Sequence, residues 1–319
     1  MQALQFSATG SLDTLQLHGL AKPVPAAGEV LVEVRATGVN PSDIKNVLGL
    51  FPYTTTPRIP GRDFAGVIVE GPEQLLGQAV WGGSGQGFGF YRDGCHAQYV
   101  AVPVNAVTPL PKSLTFAQAA TCGVPFITAW DALERSHVKA GTRLLIIGAG
   151  AVAKAAQVLA EARGADVVMA ARRADVVQSL QAQGIKAFQL SQEGQLPEQA
   201  RQHFKQQAPE VIFETTGFWL AAAVNTVDTF GRVAIIAAPK DGVISLSSLN
   251  LYRRGGSIVG INSLLYSLEE CAQMLKRIGE AFDAGLPAPS GFVELPLSQA
   301  VAAYQQVSAG AAEKIVLIP

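Results

Sequence analysis

Between Leu144 and Arg173 the chain runs through a short apolar segment, a glycine turn, a helical repeat and a second apolar segment, an order that few folds accept. Leu144 to Ile147 suit a strand buried on both faces. Gly148-x-Gly150-x-x-Ala153 then opens a helix whose apolar positions Val152, Ala156, Leu159 and Ala162 recur at helical spacing. Gly148 permits a tight turn, Gly150 removes a Cβ from the path of a pyrophosphate, and Ala153 allows close packing of helix on strand. The first-turn amides of Ala151, Val152 and Ala153 offer free N–H groups to an anion. A second strand, Val167 to Ala170, follows about twenty residues after the turn, as a dinucleotide-binding unit requires. With 32 glycines in 319 residues the triplet alone says little, and its strand-helix-strand context carries the reading.

The end of that second strand bears on the choice of dinucleotide. A carboxylate there would accept hydrogen bonds from the ribose hydroxyls, whereas a 2′-phosphate needs cations. Ala170-Ala171-Arg172-Arg173 offers no acid. Arg172 and Arg173 suit bidentate, charge-assisted bonds to a phosphate, with Lys154 a further cation from the preceding helix, and the cofactor expected is NADPH. The plainer alternative is solvated surface charge, with Asp175 capping the next helix.

The length of the chain suggests two domains. Its 24 basic and 25 acidic residues leave a net charge of −1, with no basic block or stripe, so neither a nucleic acid nor a membrane surface is an expected partner. The partners expected are small molecules. The opening residues, Met1-Gln-Ala-Leu-Gln-Phe-Ser, lack the pattern of a secretory signal, and a cytoplasmic location is expected by default. Ser113 to Trp130 approaches the length of a membrane span, but Gln118, Thr121, Gly123 and Pro125 interrupt it, and it reads as a buried helix leading into the cofactor domain. Cys95, Cys122 and Cys271 are too widely spaced for a disulfide framework or a metal clip, and the four histidines are equally scattered. No metal site is expected.

Before the turn, short runs such as Glu29-Val-Leu-Val-Glu-Val-Arg, Ala65-Gly-Val-Ile-Val-Glu and Ala97-Gln-Tyr-Val-Ala-Val alternate with Gly, Pro and Asn and read as a β-rich domain. Strand-helix alternation follows, with strands near Leu144 to Ile147, Val167 to Ala170, Ala187 to Leu190, Val211 to Glu214, Arg232 to Ala237 and Ser257 to Gly260. Six such strands suit a doubly wound parallel sheet, an α/β fold of the Rossmann type. Thr215, Thr216 and Gly217 fall at the carboxyl end of the fourth strand, where such sheets bind ligands. Phe218 and Trp219 either cover an adenine or begin a buried helix, the second being preferred. A helix from Leu268 to Ala284, a capped helix from near Ser298, and a strand Lys314 to Ile318 that rejoins the first domain complete the chain. The expected division is residues 1–115 and 265–319 for the β-rich catalytic domain and 116–264 for the dinucleotide domain.

Gly38-Val-Asn-Pro-Ser-Asp43 and Ile59-Pro-Gly-Arg-Asp-Phe-Ala-Gly-Val-Ile-Val69 resemble the medium-chain dehydrogenase/reductase superfamily, in particular its zinc-independent quinone oxidoreductase branch. Gly94-Cys-His-Ala-Gln-Tyr-Val, Pro125-Phe-Ile-Thr-Ala-Trp-Asp-Ala-Leu, the Gly148 turn, Phe230-Gly-Arg-Val and Glu313-Lys-Ile-Val-Leu-Ile-Pro extend the resemblance over nearly the whole chain. It implies a GroES-like catalytic domain beside the Rossmann domain, and a homodimer. Where zinc members carry a cysteine ligand this chain has Asn40; Gly61-Arg62-Asp63 replaces their Gly-His-Glu, and the further cysteine falls near Val124. The zinc-binding lobe is replaced by the Gly-rich stretch 82–89, which reads either as a mobile lid or as a passive loop.

Without a Lewis acid, reduction of an activated acceptor, a quinone or an α,β-unsaturated carbonyl, fits better than interconversion of simple alcohols. The resemblance places Asn40 at the reaction centre as a donor to the developing oxyanion and Ser42 at a proton-relaying hydroxyl. Asn40 and Asp43 equally suit a turn around Pro41. Tyr53 falls near the branch's cleft tyrosine, although Phe51 is the closer match. Arg62 is expected to be a structural cation paired with Asp63, the alternative being a role in orienting a carbonyl. Thr128 resembles a threonine beside the nicotinamide, and Asn262 and Ser263 match residues at its carboxamide end. The alternatives within reach of the sequence are an enoyl thioester or enone reductase of the same superfamily and a redox sensor that binds NADPH without turnover.

Overall fold

The computed structural model describes residues 1–311 and 313–319, which form two compact units, Met1–Ile127 with Ser263–Pro319, and Thr128–Asn262. In the second unit the strands are Arg143–Ile147, Asp166–Ala171, Ala187–Gln189, Val211–Glu214, Arg232–Ile235 and Ser257–Gly260, all paired in parallel. Their spatial order is third, second, first, fourth, fifth, sixth. The order reverses between the first and fourth strands, so a crevice opens at their carboxyl ends, beside Gly148 and Thr215. Leu144, Leu145, Ile146 and Ile147 have no exposed area, and burial contributes about 1.5–3 kcal/mol for each such side chain. That explains an unbroken apolar run where a half-exposed strand would alternate.

The first unit is β-rich. Glu29–Val39 is its central strand, paired antiparallel with Asp63–Glu70, with Tyr99–Pro103 and with the closing strand Lys314–Ile318. In the last pairing Ile315 lies opposite Val39, which carries Lys314 to the level of Asn40. Asp63–Glu70 continues the sheet to Ala79–Gly83. Helix Leu268–Asp283 starts at Ser267, whose hydroxyl accepts from the Glu270 amide while the Glu270 carboxylate accepts from the Ser267 amide.

Three expectations change. The unit boundary falls after Ile127 rather than after residue 115, because helix Phe116–Ala120 buries Ala117 and Ala120 against Ala36 and Val316. Ser113 to Trp130 holds helix Phe116–Ala120 and the start of a second, Gly123–Arg135, instead of one helix. The break lets Gly123 pass beneath Asp63, where a Cβ would lie 2.3 Å from the carboxylate Oδ1. The helix expected near Ser298 begins at Ala300, after a turn of 3-10 helix over Leu297–Gln299. In the stretch 82–89, for which a lid and a passive loop were the two readings, Ser84 and Phe88 are fully buried, Ser84 Oγ lies 2.9 Å from Ser263 Oγ, and the Gln86 amide donates to the Tyr266 carbonyl at 2.8 Å, which favours the packed loop.

Candidate functional site

Asn40 precedes helix Pro41–Val47 and leaves the central strand in extended conformation. Pro41 at the first helical position needs no N–H partner, and the Asp43 carboxylate accepts from the Asn40 amide at 2.8 Å. The Asn40 side chain bonds to Asp63 and Lys314. Its Nδ2 donates to Asp63 Oδ2 at 2.8 Å, and its Oδ1 accepts from Lys314 Nζ at 2.5 Å. The Val124 amide donates to Asp63 Oδ1 at 2.7 Å, and Lys314 Nζ lies 3.5 Å from Asp63 Oδ2. Asp63 is fully buried and Asn40 is 2 % exposed. Burial pushes the Asp63 carboxyl above its ordinary range, against the pull of the Lys314 charge and the Asn40 bond.

Arg62, also buried, turns away from Asp63. Its Nε lies 3.3 Å from Asp43 Oδ1, its Nη2 donates to Ser42 Oγ, and its guanidinium covers the Phe90 ring. The expected Arg62–Asp63 pair is thus replaced by Arg62–Asp43, because the Asp63 carboxylate already holds Asn40, Val124 and Lys314. Asp43 caps the helix and binds the guanidinium at once. Ser42 is half-buried; since a guanidinium only donates, its hydroxyl oxygen accepts and its own proton stays free to be given.

Tyr53 is 42 % exposed and packs its ring against Phe51, Phe90 and Tyr91. Burial raises its pKa, so the phenol keeps its proton at neutral pH. His96 is buried, with Nδ1 2.9 Å from the Tyr304 hydroxyl and Nε2 3.3 Å from the Gly38 carbonyl. A carbonyl can only accept, which puts the proton on Nε2; desolvation lowers the pKa and keeps the ring neutral. The thiols of Cys95 and Cys122 are pushed up by burial and stay protonated.

The positions that match metal ligands in zinc members now have visible occupations. Asn40 and Asp63 are bonded to each other, Arg62 is tied to Ser42 and Asp43, and Val124 supplies a backbone N–H. Among the described residues no group of three or more His, Cys, Asp or Glu side chains is placed to hold a metal ion.

In the second unit, Gly148 has φ +118°, and a Cβ there would lie 2.1 Å from Thr215 Oγ1. Its glycine is required by the neighbouring strand end as well as by the turn. Thr215 Oγ1 donates to the Ile147 carbonyl at 2.8 Å, tying the first and fourth strands together where the crevice opens. Gly150 caps helix Ala151–Ala162 without a side-chain bond, and a Cβ on it would meet no protein atom within 4 Å. The turn thus has the form of an anion cradle: space over Gly150 and the first-turn amides of Ala151, Val152 and Ala153. A dinucleotide pyrophosphate fits it.

Glu214 is fully buried and accepts from the amides of Thr216 and Gly217 and from the Thr216 hydroxyl, fixing the Thr215-Thr216-Gly217 turn. Trp219 is buried in the core at the start of helix Leu220–Thr226, as the preferred reading has it, while Phe218 is 59 % exposed. Arg172 and Arg173 are both exposed at the end of strand Asp166–Ala171. Arg173 is engaged by Asp175, whose carboxylate accepts from Nε at 3.0 Å and from Nη2. Asp175 therefore pairs with a side chain, and the Arg172 carbonyl accepts from Gln189 Nε2 at 3.0 Å. Thr128 is buried on helix Gly123–Arg135, and Asn262 is exposed after strand Ser257–Gly260. Lys314 and Glu214 were not singled out from sequence. Each is one charge beside an apolar strand, and only the pairing of distant segments shows what it meets.

Two family models match the chain: the alcohol dehydrogenase GroES-like domain over residues 26–112 and the zinc-binding dehydrogenase domain over residues 151–280. A zinc-type alcohol dehydrogenase-like protein of Schizosaccharomyces pombe is 37% identical over 283 residues, 85% of this chain and 81% of the relative. A quinone oxidoreductase of Lama guanicoe is 28% identical over 331 residues, 100% of this chain and 97% of its own. Among solved structures, an alcohol dehydrogenase superfamily protein from Novosphingobium aromaticivorans aligns with a TM-score of 0.88 at 28% identity, covering 100% of this chain and 99% of that one. With a glycine-cradled helix at the switch point of a six-stranded sheet, a separate β-rich unit and relatives along its whole length, the chain belongs to the medium-chain dehydrogenase/reductase superfamily of nicotinamide-dependent oxidoreductases.

Proposed function

We propose that the protein is a zinc-independent, NADPH-dependent reductase of quinones or α,β-unsaturated carbonyls. The observation that carries the reading is the Asn40–Asp63–Lys314 network. Side chains at the positions of metal ligands are committed to one another, and an ammonium group supplies the positive charge. Among the described residues no donor set is placed for Lewis-acid activation of a simple alcohol, whereas an activated acceptor needs little more than orientation, one hydrogen bond and exclusion of water.

The residues that would hold the cofactor are Gly148, Gly150 and the amides of Ala151, Val152 and Ala153 for the pyrophosphate. Thr128, Thr215 and Asn262 are assigned to its remaining length, and Arg172 with Arg173 to the 2′-phosphate. When bound, the reduced nicotinamide supplies the hydride. The Asn40 amide nitrogen has two hydrogens, one given to Asp63; the second is the donor we assign to the negative charge that develops on the acceptor oxygen. Ser42, with its oxygen held by Arg62, passes a solvent proton to the reduced acceptor. Tyr53 and Phe51 line the acceptor side as aromatic walls.

A homodimer is part of the proposal. Ser257–Gly260 is an edge strand, and Phe230 and Tyr252 of the same unit are 77 % and 68 % exposed. We also propose a cytoplasmic location, supported by three free, buried cysteines; no helix among the described residues is long and apolar enough to cross a membrane. The reading is tested by titrating the protein with NADPH and NADH by nicotinamide fluorescence, then adding 9,10-phenanthrenequinone or a simple enone. Preferential NADPH binding followed by oxidation is expected. Tight binding with no oxidation would favour a sensor, and no binding would overturn the reading.

A further inference from the structure

Lys314 has no part in the site as the sequence describes it, yet its surroundings are built for it. Its side chain is 10 % exposed, and an ammonium so buried requires partners. It reaches them because Lys314–Ile318 pairs with the central strand one residue from Asn40, and because Gly38 has no side chain. A Cβ on Gly38 would stand 3.1 Å from Lys314 Cε and 2.2 Å from the Ala120 carbonyl oxygen. At the end of that path Nζ is closer to the Asn40 amide oxygen, at 2.5 Å, than to the Asp63 carboxylate, at 3.5 Å. An ion pair alone would reverse those distances.

A carboxamide has two orientations that differ by exchange of its oxygen and nitrogen. Here Lys314 can only donate and the Asp63 carboxylate accepts, so one orientation satisfies both neighbours and the other opposes donor to donor. We propose that Lys314 is a positioning residue for the reductase reaction. Its ammonium locks the Asn40 carboxamide with the oxygen toward Lys314 and Nδ2 on the side of Asp63, so that Asn40 meets the acceptor as a donor and not as an acceptor. The proposal rests on the reading of Asn40 given above. Arg62 and Asp43 complete the charges of the cluster: the Asp43 carboxylate binds the Asn40 backbone amide, and Arg62 binds Asp43 and Ser42.

The test uses the full chain and the variants Lys314→Met, Lys314→Arg and Asn40→Ala, with Asn40→Asp to assign the side-chain amide by loss of its resonance pair. In Lys314→Met the Asn40 pair should shift and lose protection from exchange, and turnover of an enone should fall on the order of 10²-fold with NADPH affinity unchanged. Lys314→Arg, which keeps a charged donor, should recover most of that turnover. On the Asn40→Ala background, Lys314→Met should cost less than threefold further, since the group it orients is gone. An unmoved amide pair, or equal losses on both backgrounds, would overturn the proposal. If Lys314→Met does not fold, Lys314→Gln, whose amide still donates to Asn40, should leave the Asn40 pair in place and keep most of the turnover, and a pair that shifts and loses protection in that variant would overturn the proposal. The resonances decide the positioning role whether or not an acceptor is turned over, so failure of the reductase reading is distinguishable from failure of this one.

Discussion

Replacing Gly148 with alanine separates two costs that the structure assigns to one position. The first is conformational: φ is +118°, a region that residues with a Cβ rarely adopt, at a cost of about 1–3 kcal/mol. The second is steric, since the new methyl would stand 2.1 Å from Thr215 Oγ1. Relieving it requires Thr215 to leave the Ile147 carbonyl, a hydrogen bond of about 0.5–1.5 kcal/mol. Gly148→Ala should therefore lose roughly 2–4 kcal/mol, a fall in Tm of about 4–16 °C at 2–4 °C per kcal/mol for a domain near this size. Thr215→Ala alone should lose about 1 kcal/mol. On the Gly148→Ala background the same change removes the clashing oxygen and should be neutral or stabilising, leaving only the conformational cost. Differential scanning calorimetry of the four proteins without nucleotide measures this cycle. Additive losses, with Thr215→Ala costing the same in both backgrounds, would refute the contact between the glycine turn and the fourth strand.

Arg172→Ala should weaken NADPH binding about tenfold to a hundredfold while leaving NADH unchanged, and Arg173→Ala should do less because Asp175 already holds that guanidinium; equal losses for both dinucleotides in fluorescence titration would remove the 2′-phosphate role. Gly150→Val should keep Tm within about 2 °C, as its Cβ meets no protein atom, yet abolish binding of either dinucleotide; retained binding would mean that the pyrophosphate lies elsewhere. The pKa of His96 is lower in the folded protein than its ordinary value of 6.5, so the folded state binds fewer protons than the unfolded one. Its stabilising contribution is present above the ordinary value and is lost as pH falls through the folded one. His96→Gln should accordingly flatten the decline of Tm below about pH 6.5, and identical slopes in the two proteins would contradict a neutral, buried imidazole.

The sheet of the second unit was legible because its central strands, Arg143–Ile147, Asp166–Ala171 and Val211–Glu214, are apolar runs bounded by turn residues, and their burial on both faces is written in consecutive residues. All six expected strands are present, with Ala187–Gln189 and Arg232–Ile235 ending earlier than their apolar runs do. The glycine turn was legible for the same reason, although the need for Gly148 comes partly from Thr215, which no local pattern reveals. The two helices that meet within Ser113 to Trp130 were not separable, because Gly123 serves a carboxylate sixty residues away in sequence. Asn40 was identifiable as a site residue by resemblance, but its partner Lys314 lies 274 residues from it, at the start of an unremarkable strand. Arg62 illustrates the same limit: adjacency to Asp63 suggested a pair, whereas alternation along the chain sends the two side chains to different neighbours, Asp43 and Asn40.

The central claim is hydride transfer from NADPH to an activated acceptor without a metal. Its most direct test is to dialyse the protein exhaustively against a chelator and supply NADPH deuterated at the transferable C4 position with a simple enone. The product is then read by mass spectrometry. One deuterium on the reduced carbon, formed at the same rate before and after chelation, is expected. Activity that is lost on chelation and restored by zinc, or a product with no deuterium from the cofactor, would contradict the claim.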